Sequence, residues 1–459
     1  MKIDSRLSAA KLRPALDRFL RLAGLKILNL DRGWDPARGT PVFTRAGRYT
    51  AQGWTEWTQG FQYGCAILYF ELTGDQAFLK LGRRRTVERM APHLSHVGVH
   101  DHGFNNLSTY GNLRRLMLEG LIPFDQRELE FYELALKVSG AVQAARWTPT
   151  AHGTGFIHSF NGPHSLFSDT MRSLRSLGLA HQLGHVLMGE GDRPISLLGR
   201  LAEHALSTVR FNVYYGEGRD AYDVRGRVVH ESIFNVKDGQ YRCPSTQQGY
   251  SPFSTWTRGL AWVLLGCAEQ LEYLSTLKAG ALAPFGGKAA LVRALERAAL
   301  ATAEFHLENS FADGVPFWDT GAPGVADFGR IAHRPSDPYN DVESLDSSAA
   351  AICGQGFLRL GNYLGAAGKK AQGKRYRAAG LTIARALLAE PYLSADPKHQ
   401  GLLLHSVYHR PNGWDHLPRG RKIPCGESSM WGDYHLMELA LLVQREAEAG
   451  SYPMFFEVQ

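Results

Sequence analysis

Apolar residues along this chain recur every three or four positions in one block after another, and this period is the mark of helices with one buried face. The pattern predicts helices near 8–24, 55–73, 76–93, 103–119, 126–145, 169–189, 193–212, 254–277, 286–309, 346–366, 368–390 and 429–447. Strand patterns are few. The segment "GRVVHESIFNVKDGQYR" (226–242), with its "KDGQ" turn, predicts a β-hairpin. In "ELTGDQAF", Gly74 closes one helix and Asp75 caps the next, the junction of an antiparallel helical pair; "NYLGAAGKKAQ" predicts the same turn near Gly365. Helices in hairpins without alternating strands predict an all-α toroid of inner and outer helices, one domain over 1–459.

Four longer connections, near 147–168, 213–253, 310–345 and 391–428, are rich in Gly, Pro, Asn, His and aromatics. Loops of that length in a compact domain tend to carry function, so the chemistry is expected on the face they build. Hydrophobic residues at 44% and charged residues at 21% supply a sizeable core and leave no signature of disorder. The 51 Lys and Arg outweigh the 44 Asp and Glu, a formal charge of +7 that favours anionic partners. The positive residues are scattered, and the densest run, Arg83-Arg84-Arg85, falls on a helical pattern. Acidic small molecules are therefore expected as ligands rather than nucleic acid. Five distant cysteines without a CxxC argue against a zinc site or a disulfide framework. The N-terminal apolar residues are interrupted by Arg, Asp and Lys, so they read as an amphipathic helix rather than a signal peptide. No stretch approaches the length of a membrane span, and a cytoplasmic protein is expected.

Two aspartates stand where loops enter helices, Asp101 in "GVHDHGFNN" and Asp169 in "HSLFSDTMRSL". Each reads equally as a helix N-cap or as half of an acid–base pair across the mouth of a ring. In "STWTRGLAW", Trp256, Arg258 and Trp262 read either as core or as a cage in which indoles stack on sugar faces and a guanidinium fork grips a carboxylate. Trp57 and Phe61 in "EWTQGFQYG" and Trp147 in "ARWTP" add aromatics near loops. The stretches "GTGF" and "GAPG" lack phosphate-loop context, "HSVYHR" lacks a metal-site pattern, and no nucleophile elbow is present.

The ordered set "EWTQGF", "HDHGF", "FSDTM", "QQGYSPFSTWTRGLAW", "VPFWDTGAP", "LDSSAAAI" and "ESSMWGDYHLMELAL", spread from about 54 to 447, resembles the unsaturated glucuronyl hydrolases of glycoside hydrolase family 88 and the related unsaturated rhamnogalacturonyl hydrolases. The resemblance implies an (α/α)6 barrel. It implies release of the Δ4,5-unsaturated uronic acid that polysaccharide lyases leave at the non-reducing end, by acid-catalysed hydration of the C4=C5 vinyl ether, with no metal or organic cofactor. It assigns Asp169 as proton donor and Asp101 as the neighbour that keeps it protonated. Carried over by position, Trp57, Phe61, His100, Trp147, His204, Trp256, Arg258 and Trp262 would contact substrate. Gln247, followed by Gln248, stands where the family usually has His-Gln, so an imidazole is missing from that wall. Asn105 and Asn106 depart from the usual apolar residues, and the loop before Asp169 is longer. Arg172 and Arg175 also depart, and read as extra charge for an anionic ligand or as helix capping and outer-face solvation. The resemblance implies an unsaturated uronyl oligosaccharide as substrate, nucleic acid and membrane are not expected as partners, and the protein is expected as monomer or homodimer. The alternatives keep the fold and act on a saturated glucuronide, eliminate a uronate as a lyase, or bind acidic sugars without catalysis.

Overall fold

The computed structural model describes residues 1–53, 56–450, 452 and 454–456. Among these, six long helical segments form an inner ring: Gln59–Thr73, 102–118, 170–182, Thr257–Thr276, Ser347–Ala366 and Met430–Ala447. Each packs on the next, and the last packs back on the first. Arg13–Gly33, Gln76–Arg89, Gln126–Ala145, Leu197–Phe211, Lys288–Glu308 and Lys370–Leu387 lie outside them. The architecture is an (α/α)6 barrel. Thr257–Thr276 is buried around nearly its whole circumference, as an inner helix with neighbours on every side must be. No helix of the described residues is long and apolar enough to cross a membrane.

Local signals account for most helix ends, and where the ends shift a residue explains it. Gly74 adopts φ +76°, and Asp75 accepts a hydrogen bond from the Ala77 N–H at 2.9 Å. The first helix starts at Arg13 instead of 8, with Pro14 in its opening turn, and the predicted start at Thr55 lies outside the described residues. The turn expected near Gly365 is made by Gly368 at φ +85°. The helix expected to reach 189 ends at Gln182, and Gly184 at φ +75° turns the chain into a short strand pair, Leu187–Met188 with Pro194–Ile195. The hairpin pairs Glu231–Phe234 with Tyr241–Ser245, and a third strand, Ser165–Phe167, joins it.

Close approach of two inner helices sets the floor of the site. A Cβ on Gly103 would stand 2.2 Å from the Ser173 carbonyl oxygen, so only glycine lets the starts of 102–118 and 170–182 touch. The Gly103 N–H donates to Ser173 Oγ at 2.9 Å, and Ser173 Oγ donates to the His100 carbonyl at 2.8 Å.

The barrel axis below this contact is ionic. Arg172 pairs with Glu269 at 2.7 Å and Glu438 at 2.9 Å, Arg175 with Glu269 at 3.3 Å, and Arg359 with Glu272 at 2.8 Å. Both sequence readings of Arg172 and Arg175 are corrected here: the two guanidiniums face neither ligand nor solvent and are wholly buried. Burial first, then the charge of Arg172, lowers the Arg175 pKa to about 10. Burial works against Glu438, yet Arg172 and its neighbours hold that carboxyl down to about 2.

A charge left alone in this interior is far more costly than an unpaired one at the surface. Glu269→Gln is therefore expected to lower unfolding free energy by about 3–5 kcal/mol in urea denaturation. Disrupting the exposed Arg242 and Asp238 pair by Arg242→Gln is expected to cost less than about 1 kcal/mol.

Candidate active site

Where the inner helices begin, a cavity of about 460 Å³ opens among the loops, within the size range of small-molecule sites. Trp57, Phe104, Trp256, Trp262 and Tyr408 wall it, and His100, Asp101 and Asp169 line it together. Three of the four long connections reach it, contributing Phe160, Gln247 with Gln248, and Tyr408 with His409. The fourth, 310–345, stands behind: Asp319 accepts from the Tyr250 N–H at 2.8 Å, and Thr320 Oγ1 accepts from Thr255 N at 3.0 Å.

Neither aspartate side chain caps the helix it precedes. Instead, one imidazole nitrogen lies near both carboxyls: His100 Nε2 is 3.2 Å from Asp169 Oδ1 and 3.8 Å from Asp101 Oδ1. Gln143 Nε2 and Ser173 Oγ each donate to the His100 carbonyl at 2.8 Å, which fixes the backbone carrying the pair. Burial raises the Asp101 pKa, partly offset by His100 and reinforced by the charge of Asp169. Burial also pushes Asp169 up, but the hydrogen bond and charge of His100 outweigh it and hold the group below its ordinary value. The His100 imidazolium loses hydration, and the two carboxyls more than restore it, raising its pKa. The two carboxyls are thus pushed in opposite directions, Asp101 up and Asp169 down.

Arg258 lines the cavity but does not offer a free fork. Its Nη1 donates to Asp346 Oδ2 at 2.7 Å and to the Val407 carbonyl. Its Nη2 donates to the Tyr408 carbonyl at 2.8 Å and to Gln248 Oε1 at 3.1 Å. All four terminal N–H bonds are committed, so the expected bidentate grip on a ligand carboxylate is corrected. The guanidinium lies 4.7 Å from the Trp256 ring and 4.9 Å from that of Trp431, and it braces the indole wall.

Three residues carried over as substrate contacts lie outside the cavity lining. Phe61 is fully buried behind Trp57, with ring centroids 5.8 Å apart. Trp147 pairs in a strand with Ile157 and stacks under Arg200 at 3.8 Å. His204 is sealed in, its Nδ1 accepting from the Ile157 N–H at 2.9 Å, and burial drops its pKa to about 3. A different histidine, His230, is buried behind the wall and supports it. Its Nδ1 accepts from the N–H groups of Gln247 at 3.0 Å and Gln248 at 3.3 Å, and its ring meets that of Trp256 at 4.7 Å. It brings an imidazole to the segment from which sequence comparison found one missing. The strand pattern of "VVHES" was the available signal. Asn105 and Asn106 are structural: Asn105 Oδ1 accepts from Gly60 N at 2.8 Å, and Asn106 Nδ2 donates to Ser139 Oγ at 2.8 Å.

No family model matches the chain. The unsaturated glucuronyl hydrolase of Bacillus sp. (strain GL1) is 27% identical over 429 residues, covering 92% of this chain and 94% of the relative. That of Formosa agariphila is 25% identical over 390 residues, covering 83% and 78%. The chain resembles the unsaturated glucuronyl hydrolases over most of its length. The crystal structure of the Bacillus sp. GL1 unsaturated glucuronyl hydrolase superposes with a TM-score of 0.69 at 23% identity, covering 94% of this chain and 97% of that one. A heparin-specific unsaturated glucuronyl hydrolase superposes with a TM-score of 0.70 at 19% identity. The (α/α)6 barrel is thus shared across this group of hydrolases.

The His100 and Asp169 pair sets a pH window. A raised His100 pKa contributes stability below its unfolded value of 6.5 and loses it as pH rises through the higher folded value. A depressed Asp169 pKa contributes stability above 3.8 and loses it as pH falls through the lower folded value. The pair is expected to be fully engaged between these limits. By NMR, His100 should titrate above 6.5, and Asp169→Asn should lower that midpoint; an unchanged midpoint would show that the contact does not form.

Proposed function

We propose that this protein is a glycoside hydrolase that releases a Δ4,5-unsaturated uronic acid from the non-reducing end of lyase-generated oligosaccharides. The observation that carries this reading is the pair of carboxyls served by one imidazole at the base of an aromatic-walled cavity. The curated relatives named above support the substrate class, and a Streptococcus agalactiae unsaturated glucuronyl hydrolase complexed with dGlcA-GalNAc6S shares the fold, with a TM-score of 0.61 at 19% identity.

In the proposed reaction, Asp169 delivers a proton to C4 of the vinyl ether, and the C4=C5 electron pair forms the new C–H bond. Positive charge then develops at C5 and the ring oxygen. Water adds to C5 and gives its proton back to Asp169. The resulting hemiketal opens, C5 becomes a ketone, and the hemiacetal left at C1 expels the remaining sugar. Asp101, His100 and Asp169 titrate as one unit. An anionic substrate entering the cavity disfavours the charged carboxylate of Asp169, and His100 Nε2, whose pKa the two carboxyls raise, lies 3.2 Å away. Burial raises the Asp101 pKa beside them, which disfavours a second negative charge at the site. Trp57, Trp256 and Trp262 offer apolar faces to the sugar, and Gln247 and Gln248 its polar edge. The whole chain is proposed to act as a single catalytic domain. The proposed setting is the cytoplasm, supported by five free cysteines, of which Cys243 is exposed.

The test is incubation with unsaturated disaccharides while following the conjugated ultraviolet absorbance. Absorbance should fall, and Asp169→Asn should slow the fall about 10²–10⁴-fold, the usual worth of a general acid–base group. Release of saturated sugar with unchanged absorbance, or rising absorbance, would replace hydration by ordinary hydrolysis or elimination.

A further inference from the structure

The helix Gln126–Ala145 ends at Arg146, and the chain then turns through the strand pair Trp147–Pro149 with Gly155–Ile157. This hairpin takes up the longer loop before Asp169 and returns His158 to Arg146, whose carbonyl accepts from the His158 N–H at 3.0 Å. The Arg146 guanidinium closes the same contact. Its Nε donates to the His158 carbonyl at 3.1 Å and its Nη2 to the Ser159 carbonyl at 2.6 Å, while Nη1 reaches across to the Val97 carbonyl.

Those three carbonyls belong to two segments that are separate in sequence and meet at the cavity. One segment carries His96, Gly98, Val99 and then His100 with Asp101, the other ends in Phe160, and all of these line the cavity. Arg146 does not line it. Across the junction the Phe160 and His100 rings stack, with centroids 6.0 Å apart and planes inclined by 23°. No carboxylate pairs with Arg146 among the described residues, and its fork is spent on main-chain oxygen. A planar guanidinium with donors on three nitrogens can span three acceptors at once, which a single ammonium on a flexible stem cannot hold as rigidly.

We propose that Arg146 is a positioning residue for this site: by bridging the Val97 carbonyl to those of His158 and Ser159, it fixes the segment that carries His100 and Asp101 against the one that carries Phe160. The kinetic consequence rests on the hydration reading above, whereas the clamp stands without it. His100 lies 3.2 Å from Asp169, and a ring backed on one face by Phe160 keeps that contact as substrate enters. Without the bridge the two segments are free to slide past each other, and a small displacement of an acid–base group is costly in rate. The charge of the guanidinium works in the same place. Burial pushes the Asp101 pKa up, and Arg146 is among the positive groups that oppose it.

NMR of the His100 ring protons tests the clamp without the reaction. Phe160→Leu removes the stacked ring and should move these resonances. Arg146→Ala is expected to move them the same way, by releasing Phe160, and the double variant no further than Phe160→Leu alone, because groups acting through one contact do not add. With an unsaturated disaccharide, Arg146→Ala is expected to lower kcat about 10- to 100-fold, the scale of an ångström-sized misplacement. Arg146→Lys keeps the charge without the three-way bridge, so the His100 displacement should persist and at most about threefold of the lost kcat should return. It serves also if the alanine variant fails to fold. The NMR result supports the assignment even if the wild-type chain hydrates no sugar, an outcome that would fell only the hydration reading. Unmoved His100 resonances in Arg146→Ala, displacements that add in the double variant, full kcat in Arg146→Lys, or an unchanged kcat in Arg146→Ala of a chain that does hydrate, overturn it.

Discussion

A guanidinium or carboxylate moved from water into the interior of a helical ring loses hydration worth several kcal/mol, and it stays charged only if another group of opposite sign replaces that hydration. The interior of this barrel is organised around that constraint. Arg172, Arg175 and Arg359 face Glu269, Glu272 and Glu438 across four inner helices. Arg258 faces Asp346, and His100 faces two aspartates. Because the arginine and glutamate partners come from different helices, each of those pairs also locks the rotation of one helix against another.

The same rule divides labour at the cavity. Arginines that pair internally brace walls and cannot also serve as receptors, as the saturated fork of Arg258 illustrates. The groups that line the cavity around it are indole faces, Gln247, Gln248 and the carboxyl pair with His100.

Placement of the carboxyl pair follows from contact between helices. Gly103 lets two inner helix starts meet at backbone distance, and Ser173 and Gln143 tie the His100 carbonyl into the contact. The loop strands and the 310–345 connection hold the Gln247–Trp262 wall opposite, through His230, Asp319 and Thr320. Chemistry on the loops thus rests on a rigid ring beneath them.

Local interactions wrote the helices into the sequence. A stripe every 3.6 residues, Gly74 with Asp75 at a turn, and the "KDGQ" hairpin each depend on residues a few positions apart, so their reading survives in the fold. The aspartates at loop ends, the indoles and the arginine could be named from the chain. Their roles could not. A buried charge takes its meaning from a partner anywhere in the chain: Glu438 lies 266 positions from Arg172, and Asp346 lies 88 from Arg258. For the same reason His204 and His230 look alike in sequence, yet one is sealed behind a strand and the other holds the backbone of the Gln247–Gln248 wall. Periodicity and turn chemistry are short-range and additive along the chain, whereas desolvation and charge pairing are settled only when the ring closes and decides which groups share a space without water.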